Sequence, residues 1–202
     1  MIYFTSDLHF GHANIIRLCK RPFADVDEMD GALIANWNKK VTKKDTVYIL
    51  GDVVWDKNKV GFYMEQLKGK KILVCGNHDS TWCKREETKG FFEQVTSFME
   101  INAEGRCLTL CHYPMLEWKN SRESDGKVGY HLHGHIHNRV AQEYKPLYMQ
   151  FNALNVGVDV NGFVPVTFEE ALQNNLRFKL SALSDEEGEI LKEACQRLAG
   201  QK

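Results

Sequence analysis

Five short segments end in side chains that can bind metal: Asp7-Leu8-His9, Gly51-Asp52, Gly76-Asn77-His78-Asp79, His112 and Gly134-His135-Ile136-His137. They offer two aspartates, one asparagine and four histidines, with His78 left over. Asp7 and His9 stand two apart and can chelate one ion, and His135 and His137 can do the same from one turn. Asp52 has two carboxylate oxygens and can bridge two ions. Asn77 supplies a neutral amide oxygen, which limits the charge packed around a second ion. Mixed nitrogen and oxygen donors without sulfur suit Mn, Fe, Zn, Ni or Co, with too many imidazoles for Ca or Mg alone. Two such ions about 3.5–4 Å apart form a clamp for phosphoryl chemistry: they lower the pKa of a bridging water, hold phosphate oxygens and neutralise charge during in-line displacement.

Each piece alone has a plain alternative. A lone Asp-x-His is more often a cap or a surface loop, Gly-Asp is a common turn, and a single histidine near a strand end is usually just hydrogen-bonded. Gly-Asn-His-Asp is more specific, because a given tetrapeptide arises by chance in roughly one chain in 800 of this length. The ordered set is what argues for two metals.

These side chains must be aimed by rigid elements. Ile2–Thr5 precedes Asp7, Thr46–Leu50 precedes Asp52, Lys71–Cys75 precedes Asn77, Arg106–Cys111 precedes His112, and Tyr130–His133 precedes Gly134. Short continuous apolar runs fit buried strands. Open α/β sheets build sites by placing side chains just past strand ends. Gly51 and Gly76 fit tight turns there. Asp25 with Glu28 predicts a capped helix to about Lys39, and Asn58–Leu67 predicts another, with Gly69 near its C-terminal end. Glu104-Gly105 reads as a hairpin turn. Thr167 with Glu170 and Ser184 with Glu187 resemble capping boxes. The last helix, about 185–198, carries Ile190, Leu191, Ala194 and Leu198 on one stripe. The order βαβα followed by a β-rich part predicts a mixed layered α/β fold.

A length of 202 residues with 43% hydrophobic and 26% charged residues suits a single globular domain over 1–202. A net charge of −1 gives no sign of the basic face that strong nucleic-acid binding needs. The lysines at 39, 40, 43, 44, 68, 70 and 71 read as solvated helix ends and loops. Six cysteines lack any Cys-x-x-Cys pair and read as reduced thiols of a cytoplasmic protein. Nothing before Ile2 resembles a secretory leader, and no apolar run is long enough to span a membrane.

The five blocks in this order resemble the calcineurin-like metallophosphoesterases, whose blocks read D-x-H, G-D, G-N-H-[DE], H and G-H-x-H. The resemblance spans Asp7 to His137. It implies a four-layer α/β/β/α sandwich of two mixed β-sheets flanked by helices. It also implies that Asp7, His9 and His137 hold one metal, that Asn77, His112 and His135 hold the other, and that Asp52 bridges them, with Mn the foremost cation. His78 would serve as general acid or transition-state stabiliser, oriented by Asp79. Protein serine/threonine phosphatases of the superfamily carry G-D-x-V-D-R-G and G-N-H-E. Here Asp52 runs into Val53-Val54-Trp55-Asp56 and the third block ends in Asp79, which argues against that type. The opening Ser6 to Ile16, Arg21-Pro22-Phe23 and the closing Asn155 to Asp159 resemble small bacterial and phage phosphoesterases.

The expected activity is hydrolysis of a small or nucleotide-like phosphodiester, with monoesters, nucleic acid and a non-catalytic scaffold as alternatives in that order. A homodimer is compatible with this reading. His12, three residues after His9, is a candidate substrate contact. Arg21 is a second, set against a surface ion pair. His131 and His133 read as core or supporting residues. Trp55, Trp82, Tyr113, Trp118 and Tyr130 lie near the blocks and could shape the pocket.

Overall fold

Four strands, β1 (Ile2–Thr5), β2 (Thr46–Ile49), β3 (Lys70–Val74) and β4 (Gln94–Thr96), pair in that order and all in parallel. A second sheet runs β5 (Met99–Ala103), β6 (Arg106–Leu110), β7 (Gly129–His133) and β8 (Ala153–Asn155). Its first pair is antiparallel and the others are parallel, so this sheet is the mixed one. An isolated antiparallel bridge joins Phe4 of the first sheet to Val166. This computed structural model describes residues 1–122, 124 and 127–199, with side chains through 197.

The alternation of side chains along β1 to β3 sorts them into two cores. Tyr3, Val47, Ile49 and Leu73 face outward. They pack under Met29, Leu33 and Trp37 of helix α2 (Val26–Lys40) and under Val60, Tyr63 and Met64 of α3 (Val60–Met64). Phe4, Leu50 and Val74 face inward and meet Leu108, Leu110, Leu132 and Leu154 of the second sheet. Burying each such leucine stabilises the fold by about 1.5–3 kcal/mol. On the far side of the second sheet, Ala153 and Ile136 pack with Leu147 and Tyr148, and Phe178 of α6 (Phe168–Ala182) adjoins them. The layers are therefore α/β/β/α, as the family resemblance implies. Between these elements lie α1 (Ala13–Cys19), α4 (Glu86–Lys89) and α5 (Lys145–Tyr148), and α7 (Asp185–Ala199) ends the described chain. None of the described helices is long and apolar enough to cross a membrane.

The caps form as the sequence predicts. Asp25 accepts from the Glu28 amide at 2.9 Å, while the Glu28 carboxylate reaches back to the Ala24 amide, one residue beyond the cap. Thr167 and Glu170 close a full capping box, and Ser184 and Glu187 exchange the same pair of bonds. Glu104 and Gly105 both have positive φ and turn β5 into β6, as a two-residue hairpin requires.

Three expectations are corrected. The helix expected over 58–67 is a short turn at 57–59 followed by α3, which ends at Met64. Asn38 of α2 takes the Gln66 carbonyl and the Lys68 amide with its side chain, so the backbone there bonds across to α2 rather than continuing the helix. Lys71 is buried, not solvated, and donates to the Leu67 and Gly69 carbonyls. On α7, Leu191 is buried but Ile190 is 51% exposed, so the apolar stripe is narrower than expected. The Leu198 side chain lies outside the described residues. All six cysteines are free thiols.

Candidate metal centre

Every candidate ligand sits just past the C-terminal end of a strand: Asp7 and His9 after β1, Asp52 after β2, Asn77 after β3, His112 after β6, and His135 and His137 after β7. The chain must turn sharply there to bring side chains back over the sheet edges. Asp7, His9, Asp52, His135 and His137 all have φ between 51° and 71°. Non-glycine residues rarely adopt that conformation, and it persists only where surrounding contacts fix it. Gly51 shares it, with φ 83°, and is a turn glycine as expected. Gly76 is needed for a different reason: a Cβ there would lie 2.3 Å from Asp52 Oδ1 and 2.7 Å from the Asp52 amide nitrogen. Only glycine lets β3 pass so close to the second block.

Two donor groups form. Asp7, His9 and His137 converge, as do Asp52, His112 and His135, with ligand atoms in each group within 4.8 Å of one another. Asn77 joins the second group, its Oδ1 lying 3.0 Å from His112 Nε2 and 3.1 Å from His135 Nδ1. Asp52 lies between the groups. Its Oδ2 is 3.6 Å from His9 Nε2 and 3.5 Å from His112 Nε2. Its Oδ1 accepts from the His78 amide at 3.0 Å.

Neighbouring atoms select which nitrogen of each imidazole is available. His112 Nδ1 lies 2.7 Å from the Leu50 carbonyl, so it carries the proton and Nε2 keeps its lone pair for the site. His137 Nδ1 lies 2.8 Å from Asp159. Burial opposes protonation of His137, yet the bond to Asp159 carries its pKa up to about 10. The same contact makes the ring a stronger donor once a cation replaces the proton. Burial, reinforced by the positive charges of His137 and Arg21, holds His9 well below its usual range, so its ring is neutral. His9 Nε2 is fully buried and has no hydrogen-bond partner among the described residues. A buried polar atom seldom goes unpaired in a folded protein. A lone pair aimed into a ring of carboxylate and imidazole donors is what a divalent cation would satisfy, so the residues present fit two such ions. A further grouping of Cys19, His137 and Asp159 shares His137 and adds no separate site.

His78 stands at the mouth, with its side chain 38% exposed and its Nε2 3.8 Å from Asp52 Oδ2. Asp79 does not orient it. The Asp79 carboxylate is buried and accepts from the amides of Asp52, Val53 and Gly76 at 2.7, 3.0 and 2.8 Å, tying the second block to the third. Burial pushes that carboxyl up to about 6, against those three bonds.

Arg21 is neither a surface ion pair nor a free phosphate ligand. Its side chain and that of Asp159 are 0% and 1% exposed and form a two-pronged pair at 2.8 and 3.0 Å. Its remaining N–H groups go to the Asp7 carbonyl (2.7 Å), the Leu8 carbonyl (3.0 Å) and the Met29 sulfur (3.4 Å). That uses all five guanidinium donors. Arg21 thus pins the first block from behind, and Asp159 links it to His137 of the last. The sequence pattern does not single out Asp159, whose one local signal is an acid closing Asn155-Val156-Gly157-Val158-Asp159. Asn155 adds a bond to the His137 carbonyl, and Ser6 one to Asp7.

His12 is buried. Its ring stacks on Trp55 at 3.8 Å and 9°, and its Nδ1 lies 3.4 Å from His9 Nδ1. Trp55 itself is 51% exposed. Trp82 is buried in the outer core, Trp118 is held by its indole on the Gly129 carbonyl, and Tyr113 is exposed beside His112 and His135. His131 and His133 are buried on backbone carbonyls, as expected.

Residues 1–159 match the calcineurin-like phosphoesterase superfamily domain, and the chain belongs to that superfamily. It is 37% identical to an uncharacterized protein of Methanocaldococcus jannaschii, over 83% of this chain and 87% of that one. It is 28% identical to the gene 66 protein of Mycobacterium phage L5, over 79% and 87%. Among solved structures, a protein of unknown function from Aquifex aeolicus superposes with a TM-score of 0.65 at 29% identity, covering 84% of this chain and 96% of that one.

Proposed function

We propose that this protein is a dinuclear metal-dependent phosphoesterase acting on small phosphodiesters. The observation that carries this reading is the position of Asp52 Oδ2, about equally far from His9 Nε2 in one donor group and His112 Nε2 in the other. Asp7, His9 and His137 would hold one cation, and Asn77, His112 and His135 the other, with Asp52 shared. Mn is the proposed cation for both positions. When bound, the pair would activate water and neutralise the charge of an in-line displacement.

The chain's own residues supply the rest. Asp7 and Asp52 are held by amides and by each other's loops, so the donor geometry exists before substrate arrives. His78 is partly exposed and its ring is not tied to Asp79, so it can meet a substrate oxygen. As the water oxygen bonds to phosphorus and the ester P–O bond breaks, His78 gives a proton to the departing oxygen. A positioned acid helps expel a poor alkoxide leaving group, which is the basis of a slight lean to diesters, although monoesters carry the same leaving group. The charge of −1 supports a small substrate over a long nucleic acid.

A hydrolysis screen with bis- and mono-p-nitrophenyl phosphate, supplied with Mn, Ni, Zn or Mg, tests this. Mn or Ni is expected to support turnover that Asn77→Ala or His112→Ala abolishes. Metal-loaded protein inert on every ester would leave only a binding role for the fold.

A further inference from the structure

We propose that Trp55, backed by His12, is a shelf that stacks a planar base, or an equivalent aromatic group, carried on the substrate phosphate. The inference rests on the phosphoesterase reading and names the class of substrate. Large aromatic side chains are buried by default, because each removes much apolar area from water. Trp55 is half exposed beside the donor groups, whereas Trp37 and Trp82 are fully buried.

The indole is also held still. The Trp55 amide bonds the Phe10 carbonyl at 2.9 Å, next to the parallel bridge between Phe10 and Val54. Asp56 then caps the following turn through the Asn58 amide. One face is covered by His12 at 3.8 Å, and His12 in turn rests on the candidate ligand His9 with ring centroids 5.4 Å apart. His78 closes the circle, 5.2 Å from Trp55 and 5.4 Å from His9. The exposed indole is therefore fixed relative to the donors and to the proposed proton donor. A fixed flat surface binds a planar group with little ordering cost. Stacking discriminates little between one base and another, so any flat heterocycle should serve, as stacking platforms generally allow.

The test is tryptophan fluorescence with Mn present, using adenosine 5′-monophosphate and ribose 5-phosphate as probes. The nucleotide should quench the indole signal and bind about tenfold more tightly than the sugar phosphate, the scale expected of one stacked base. Trp55→Leu should remove the quenching and bring the two affinities together, while Trp55→Phe should keep most of the preference. A short oligothymidylate run alongside separates sources. Affinity no better than that of one nucleotide assigns the shelf to free nucleotides, and tighter binding assigns it to a single strand. Equal affinity for nucleotide and sugar phosphate in the unaltered protein would overturn the shelf even if esters are hydrolysed. Nucleotide preference without hydrolysis of any ester would uphold the shelf and sink the enzyme reading. A dimer in sedimentation that Trp55→Leu dissociates would assign the indole to self-association instead.

Discussion

Taking away the Asp159 carboxylate would strand the Arg21 guanidinium in a place with no water. The pair is fully buried, so its net worth against an apolar replacement is small, while breaking it from one side is costly. Asp159→Ala is expected to lower stability by about 3–5 kcal/mol. Replacing both, with Arg21→Met and Asp159→Leu, should cost less than that single change. Urea unfolding of the variants decides it. A double variant as damaged as Asp159→Ala would mean that the bonds from Arg21 to the Asp7 and Leu8 carbonyls matter more than charge balance. The ligands are a different case: their side chains were legible because each block is local, its spacing written over two to four residues. The Arg21–Asp159 pair joins positions 138 apart. No local pattern marks such a partner, so the sequence leaves this arginine between a surface ion pair and a phosphate ligand. Asp79 misled for a related reason. Adjacent to His78 in sequence, it points the other way, into three amides of its own and a neighbouring loop.

Among the elements, α6 carries the clearest pH signature. Lys179 is buried on it and donates to the Gln150 and Ala153 carbonyls. A neutral amine has two N–H groups, so it can satisfy both acceptors without a charge. Burial pushes the ammonium from 10.5 down to about 7, with the nearby Cys195 opposing. Below pH 7 both folded and unfolded chains keep the proton, and its cost is constant. Between about 7 and 10.5 the unfolded chain holds a proton that the folded chain has released, so stability rises with pH. From pH 7 to 9 this gain is on the order of 2 kcal/mol. Lys179→Met should remove that rise. Urea midpoints at the two pH values, compared between the two proteins, would show it; parallel shifts would discard the assignment. The strands and caps of these elements were legible because alternation and capping are short-range. The length of α3 was not, since Asn38 of another helix takes the backbone groups that would have extended it.

At the scale of the whole molecule, each donor group draws on both sheets. Asp7 and His9 come from the first and His137 from the second; Asp52 and Asn77 come from the first and His112 and His135 from the second. Cations bound there would staple the layers at one end. Ligand that binds only the folded state, at a hundred times its Kd, stabilises by about 2.7 kcal/mol. In a chain of this size that corresponds to roughly 5–10 °C in Tm. Thermal unfolding with Mn, and then with excess chelator, should show that rise and its reversal, and His112→Ala should abolish most of it. A Tm indifferent to Mn would count against the shared site.

The sequence by itself determined the donor types, their order, the strands that precede them and the superfamily those blocks resemble. All of these are set by neighbours within a few residues, through backbone preference and side-chain periodicity. Only the tertiary structure decided that Asp52 Oδ2 lies between the two groups, that Arg21 and Asp79 work as buried clamps, and that His12 supports an exposed Trp55. Those outcomes depend on which strand ends meet, and that is fixed by burying the two faces of two sheets at once.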